Sequence, residues 1–128
     1  MKKKCASKKL PVSKNSTARS GKLKAGVVMV DDQKMRDLNR VYRGEETTTD
    51  VLAFPSGEKL EKGILFLGEV VINLDQARRQ AAEYGVSEKE EIARLITHGA
   101  LHLLGYQDET KKERKEMEKI QERIVAGT

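Results

Sequence analysis

The stretch SEKEEIARLITHGALHLLGYQDE, residues 87–109, decides how this chain is read. Ser87 with Glu90 makes the S-x-x-E pattern of a capping box, which opens a helix by satisfying its first free N–H groups. Apolar residues then recur at Ile92, Leu95, Ile96 and Leu103 with helical spacing, and Gly105 is a natural stop. His98 and His102, the only two histidines of the chain, stand four apart. On a helix that is one turn along and about 40° around, so both imidazoles can point at one ion. A buried imidazole needs partners for both ring nitrogens.

Taken alone, an H-x-x-x-H pair fits ordinary histidines bonded to backbone carbonyls better than it fits a metal site. The continuation changes the balance. Gly105 lets the chain turn back toward the last helical turn, and Asp108 and Glu109 follow at once. A carboxylate oxygen binds zinc at about 2.0–2.2 Å, so Asp108 is the candidate third ligand and Glu109 the alternative. Asp108 would also serve as an N-cap for a following helix, and one oxygen cannot do both jobs. Three protein ligands leave a fourth position open, as catalytic zinc requires. Zinc proteases of the H-E-x-x-H type carry their general base beside the first histidine. Gly99 stands there instead, which counts against peptide hydrolysis.

Outward from this helix the chain reads as one domain. AGVVMV (residues 25–30) is a short Val-rich run expected to form a buried strand. Asp31 or Asp32 caps a helix with Met35, Leu38 and Val41 or Tyr42 on one face, and Gly44 ends it. EETTTD is a loop, and DVLAFP a second strand halted by Pro55. GEVVIN is a third strand, with ILFL either leading into it or separate from it. Leu74, Ala77, Ala81 and Tyr84 share a helical face that Gly85 closes. A last helix from about Thr110 is expected to bury Met117, Ile120 and Ile124. The order of elements predicts an α+β domain, a small mixed sheet with helices packed on it.

Composition bounds the function. Apolar residues make up 38% and charged residues 35% of the 128 residues, and no apolar run approaches the roughly 20 residues that cross a bilayer. No secretory core follows the basic start, so a cytoplasmic protein with no membrane partner is expected. The single cysteine, Cys5, can form no internal disulfide, which fits a reducing compartment and excludes zinc held by several thiolates. Residues 1–24 hold nine of the twenty-five Lys and Arg and none of the twenty acids, while residues 25–128 are net acidic. The reading is a basic, flexible arm over residues 1–24, suited to a polyanion such as RNA or to solubility alone, ahead of a domain over residues 25–128. A Ser- and Lys-rich, acid-free start also has some of the composition of a transit peptide, although Lys outnumbers Arg.

Three ordered motifs carry a resemblance. HGALHLLGY (residues 98–106) resembles the signature H-G-x-L-H-L-x-G-Y-D-H of the YbeY family, metal-dependent endoribonucleases of ribosomal RNA maturation. LNRVYRGEETTTDVLAFP (residues 38–55) is similar to that family's N-x-x-Y-R-x-K-D-x-P-T-D-V-L-S-F-P, and LGEVVIN (residues 67–73) to its L-G-D-I-V-I. The resemblance covers roughly residue 27 to the end. It implies a zincin-like α+β fold, zinc held by His98, His102 and the residue at position 108, and a groove for single-stranded RNA. It further implies ribosomal RNA and the small ribosomal subunit as partners.

By position Arg43 matches an arginine that the family keeps near the metal, where a guanidinium grips phosphate and stabilises its developing charge. On its residues alone, Arg43 reads as a cation favoured at a helix C-terminus. Asn39 and Tyr42 also fall on motif positions, Asn39 to hold the loop and Tyr42 to pack. Glu69 and Asp50 border the motifs and are the candidates for a general base, although structural roles fit them better. The chain departs from the pattern at Asp108, where the family has histidine, and at Gln107, where it has aspartate. An aspartate lowers the charge of the site by one unit and widens metal choice toward manganese. Glu45-Glu46-Thr47-Thr48 replaces K-D-x-P, removing a basic residue and a stiffening proline. The family's additional N-terminal strand would have to lie near residues 9–13.

Overall fold

A computed structural model of the protein describes residues 22–127. The elements run β1 (Leu23–Val30), α1 (Asp32–Arg43), β2 (Val51–Lys59), a 3-10 turn (Glu61–Gly63), β3 (Leu65–Asn73), α2 (Leu74–Tyr84), α3 (Glu88–Leu103) and α4 (Lys111–Ala126). The sheet order is β1-β3-β2, with β1 parallel and β2 antiparallel to the central β3. This is the expected small mixed sheet of an α+β domain. Residues 1–21 of the basic arm, with Cys5 and the suggested strand at residues 9–13, lie outside the described residues. Leu23 and Lys24 of the expected arm belong to β1, which starts two residues before the expected Ala25. As an edge strand it leaves Val27, Val28 and Met29 exposed where a buried strand was expected.

Alternation along β2 and β3 sends side chains to two faces. Val51, Ala53, Val70 and Ile72 meet Ala77, Leu95 and Leu103 on the face covered by α2 and α3. Leu52 and Val71 meet Met35 of α1 on the other. Glycine sets how closely α3 lies on the sheet. A Cβ on Gly99 would stand 2.5 Å from Val70 Cγ1, so any side chain there would push the helix away.

Residues 65–67 of ILFL form the start of β3, with a bulge beside Gly68, whose φ of +139° and whose closeness to the Phe54 carbonyl, which an added Cβ would strike, admit glycine alone. Pro55 does not halt β2. The strand continues to Lys59 after a register shift between Pro55 and Glu58. β2 lies at an edge of the sheet, where a residue lacking an N–H is tolerated.

Two helical faces differ from expectation. In α4 the buried residues are Met117, Gln121 and Val125, while Ile124 is 43% exposed. In α1 Met35 and Asn39 are buried, whereas Val41 and Tyr42 are exposed and Tyr42 rests its ring edge-on against Phe54. Tyr84 of α2 is likewise exposed. Ser87 does cap α3, accepting from the Glu90 N–H. The Glu90 carboxylate is bonded to Arg94.

Asn73 fixes the junction of these parts. Fully buried, it caps α2 through Gln76 N–H and donates to Asp32, Thr48 Oγ1 and the Thr49 carbonyl. Asn39 donates to the Thr47 carbonyl at 2.7 Å, so it holds the loop as expected.

Candidate metal centre

The last turn of α3 delivers both histidines to one point. His98 Nε2 and His102 Nε2 are 3.2 Å apart, and Asp108 Oδ2 lies 3.7 Å from the first and 3.4 Å from the second. All three ligand atoms fall within 4.8 Å of one another. The His102 side chain is 3% exposed, Asp108 12% and His98 20%, so the centre has one open side.

Local structure explains why Asp108 is available to the histidines. Gly105, at φ +105°, reverses the chain after α3, and Tyr106 N–H returns to the Leu101 carbonyl. The N-cap of α4 is Thr110, not Asp108, and Thr110 with Glu113 forms a complete capping box. Arg114 donates to the carbonyls of Asp108 and Glu109 and braces the loop from below. Glu109 is exposed, its N–H bonded to Glu113, and it is not among the three clustered ligand atoms.

Hydrogen bonding fixes which ring nitrogens face the centre. His102 Nδ1 lies 3.1 Å from the Tyr106 carbonyl, which can only accept, so Nδ1 carries a proton and the neutral ring has its lone pair on Nε2. His98 Nδ1 lies 2.8 Å from Gln121 Oε1, the same arrangement on a side chain. Two lone pairs and a carboxylate oxygen thus converge, which is favourable around a cation. Ligands on bonds of about 2.0–2.1 Å in a tetrahedron stand roughly 3.3 Å apart, and the observed edges lie close to that. The donor set therefore fits a divalent ion.

Beside His98 opens a cavity of about 520 Å³ whose lining includes Asp50, Tyr84, Glu91, Arg94, Gln121 and Glu122. Arg94 binds both oxygens of Glu122, at 2.7 and 2.9 Å, and also reaches Glu90 and the buried Glu91. These bonds hold the Glu122 carboxyl below its ordinary range and raise the guanidinium further. Gln80 donates to the other Glu91 oxygen at 2.8 Å.

Of the remaining sequence candidates, Arg43 ends α1, on the layer that covers the opposite sheet face from α3. Its side chain is 12% exposed and 3.5 Å from Glu45. Asp50 lines the cavity with His98. Glu69 is exposed and shares its sheet face with Val71, two residues on, which packs toward α1, so it faces away from the histidines. Sequence reasoning missed Gln121, although a polar residue in the Met117–Val125 stripe is the signal that could have found it. It also read Gly99 only as an absent base and not as the contact point with β3.

The YbeY family model, described as endoribonuclease YbeY, matches residues 2–128. The chain belongs to the YbeY family. It is 42% identical over 102 residues to a Thermodesulfovibrio yellowstonii protein named endoribonuclease YbeY, covering 79% of this chain and 64% of that one. A protein of the same name from Aquifex aeolicus is 53% identical over 83 residues, 65% of this chain and 55% of that one. The chain therefore spans less than two thirds of the length of these YbeY relatives. A solution structure of a Thermotoga maritima protein shares the fold at a TM-score of 0.56 and 31% identity, over 79% of this chain and 65% of that one. No helix among the described residues is long and apolar enough to cross a membrane.

Proposed function

We propose that the chain is a metal-dependent endoribonuclease that cuts single-stranded RNA in ribosomal RNA maturation and ribosome quality control. The observation that carries this reading is the convergence of His98, His102 and Asp108 on one point with their tautomers fixed toward it. Family membership supports the substrate class, since the relatives are named endoribonucleases. The ion is zinc, with manganese as the second choice because a carboxylate replaces a neutral ligand. The fold is of the zincin-like kind, the compartment the cytoplasm, and the partners ribosomal RNA and the small ribosomal subunit.

A divalent ion held at this centre supplies Lewis acidity toward a phosphodiester. His98 and His102 contribute neutral nitrogens and Asp108 a negative charge. Arg43 neutralises phosphate by paired hydrogen bonds, and the Lys-rich first residues hold the strand through counterion release. Position 99 has no room for the glutamate of an H-E-x-x-H protease, since even a Cβ there meets Val70. A metalloprotease is accordingly the least favoured reading.

A second reading rests on Asp108 itself. An aspartate in the place of the family's histidine suits an RNA- or ribosome-associated factor with weak nuclease activity or none. Metal analysis of the purified chain, alongside cleavage of a single-stranded RNA, separates the two. About one ion per chain with cleavage that stops in His98→Ala supports the nuclease. A chain that binds RNA but leaves it intact with zinc and with manganese supports the factor.

A further inference from the structure

We infer that Gln121 is a positioning residue for the metal centre, the last member of a relay Arg94–Glu122–Gln121 that fixes His98 as the tautomer with its proton on Nδ1. The inference deepens the metal reading of the preceding section, and its first readout does not require an ion.

A glutamine amide can face a histidine in two ways. With its oxygen toward His98 Nδ1, it accepts the ring proton and leaves Nε2 as a lone pair. With its NH2 toward the ring, it donates to Nδ1 and drives the proton onto Nε2, where it would block a ligand bond. The choice is made one residue away. Gln121 Nε2 donates to Glu122 Oε2 at 3.1 Å, and the flipped amide would instead set its oxygen against that carboxylate. Glu122 cannot easily turn aside, because Arg94 grips both of its oxygens. Arg94 is in turn held by Glu90 and Glu91 within α3, the helix that carries both histidines. The chain of bonds thus leaves α3 at Arg94, passes through Glu122 and Gln121 of α4, and returns to α3 at His98.

His102 needs no such device. Its Nδ1 faces a backbone carbonyl, which can only accept, so its Nδ1 proton does not depend on the orientation of a side-chain amide. The two ligands are therefore unequal. One is set by backbone geometry and the other by a side chain that substitution can remove. Gln121 occupies an otherwise apolar stripe between Met117 and Val125, where a leucine would pack in its place.

The experiment is long-range proton–nitrogen correlation NMR of the histidine rings in the metal-free full chain, read at Nδ1 of each ring. Wild type is expected to show a proton on Nδ1 of both His98 and His102. In Gln121→Leu, His98 shifts to Nε2–H or a mixture while His102 stays unchanged and serves as the check on folding. Zinc affinity of that variant falls about 10- to 100-fold, as loss of an outer partner of a ligating histidine typically costs. Glu122→Gln removes the charge that orients the amide, and it shows the same tautomer mixture at His98 with Gln121 still present. A wild-type His98 with no proton on Nδ1 overturns the proposal. So does a Gln121→Leu chain whose His98 tautomer or zinc affinity is unchanged. A wild-type chain that takes up no divalent ion overturns the metal reading, and the wild-type tautomer still decides whether the relay operates.

Discussion

Gly99 of α3 lies directly against Val70 of β3, closer than any other residue type would allow. That contact seats the histidine helix on the sheet. Gly99→Ala must displace the helix or the strand, and overpacking of this kind costs about 1–3 kcal/mol. Urea unfolding should show that loss. In a Val70→Ala background the cost of Gly99→Ala should shrink, because the methyl then has space. Equal costs in both backgrounds would mean that the contact does not govern the seating.

Asp108 and Glu109 are neighbours with different surroundings. Asp108→Ala should reduce bound metal from about one ion per chain to a trace, whereas Glu109→Ala should leave it unchanged. Asp108→His restores a third ligand of the family type and should retain the ion. Elemental analysis of the three variants decides the matter, and loss of metal in Glu109→Ala alone would transfer the role.

Arg43→Ala should leave metal content intact while lowering cleavage of single-stranded RNA by roughly 100-fold or more, the usual cost of removing one donor that stabilises developing charge. The comparison to make is kcat at saturating RNA, with metal content measured on the same preparation. Unaltered kcat would leave Arg43 as the partner of Glu45 and nothing more.

Asp32 joins Arg79 and Asn73, and its carboxyl is lowered from the ordinary 3.8 to about 2, chiefly by the Arg79 hydrogen bonds and then by Asn73. A depressed folded-state value means the stabilisation is complete above about pH 4 and lost as pH falls toward 2. Both side chains are partly exposed, so solvent screens the Arg79 pair and its contribution to stability is small. Urea midpoints of wild type and Asp32→Asn should therefore differ at pH 7 and draw together as pH falls to about 2. A constant difference across that range would exclude the linkage.

Much of this structure could be read from local signals. Ser87, Gly44 and Gly85 end or begin helices where their conformational preferences require, and the histidine spacing put two candidate ligands one turn apart. Reading failed where a partner distant in sequence decides. Pro55 looked like a strand end, but β2 lies at a sheet edge and resumes its pairing with β3 after a register shift between Pro55 and Glu58. Glu90 was expected to close a capping box, but Arg94 takes its carboxylate. Ile120 and Ile124 were expected inside α4, yet the helix is turned so that Gln121 meets His98 and Val125 is buried instead. The ambiguity at Asp108 needed only Thr110 to resolve it. Thr110 with Glu113 was a capping box legible in the sequence, and it relieved Asp108 of the N-cap.

The Gly105 reversal has a consequence for folding order. All three candidate ligands come from eleven consecutive residues, 98–108, so closing the site needs only a short loop and little chain entropy. The sheet, by contrast, requires β1 to find β3 across three intervening elements, α1, β2 and the 3-10 turn. A centre so local can assemble as soon as the end of α3 is helical, before the long-range pairing is complete. An ion captured at that stage would act on nascent chain, holding the α3–α4 corner together while the rest of the domain is still being gathered.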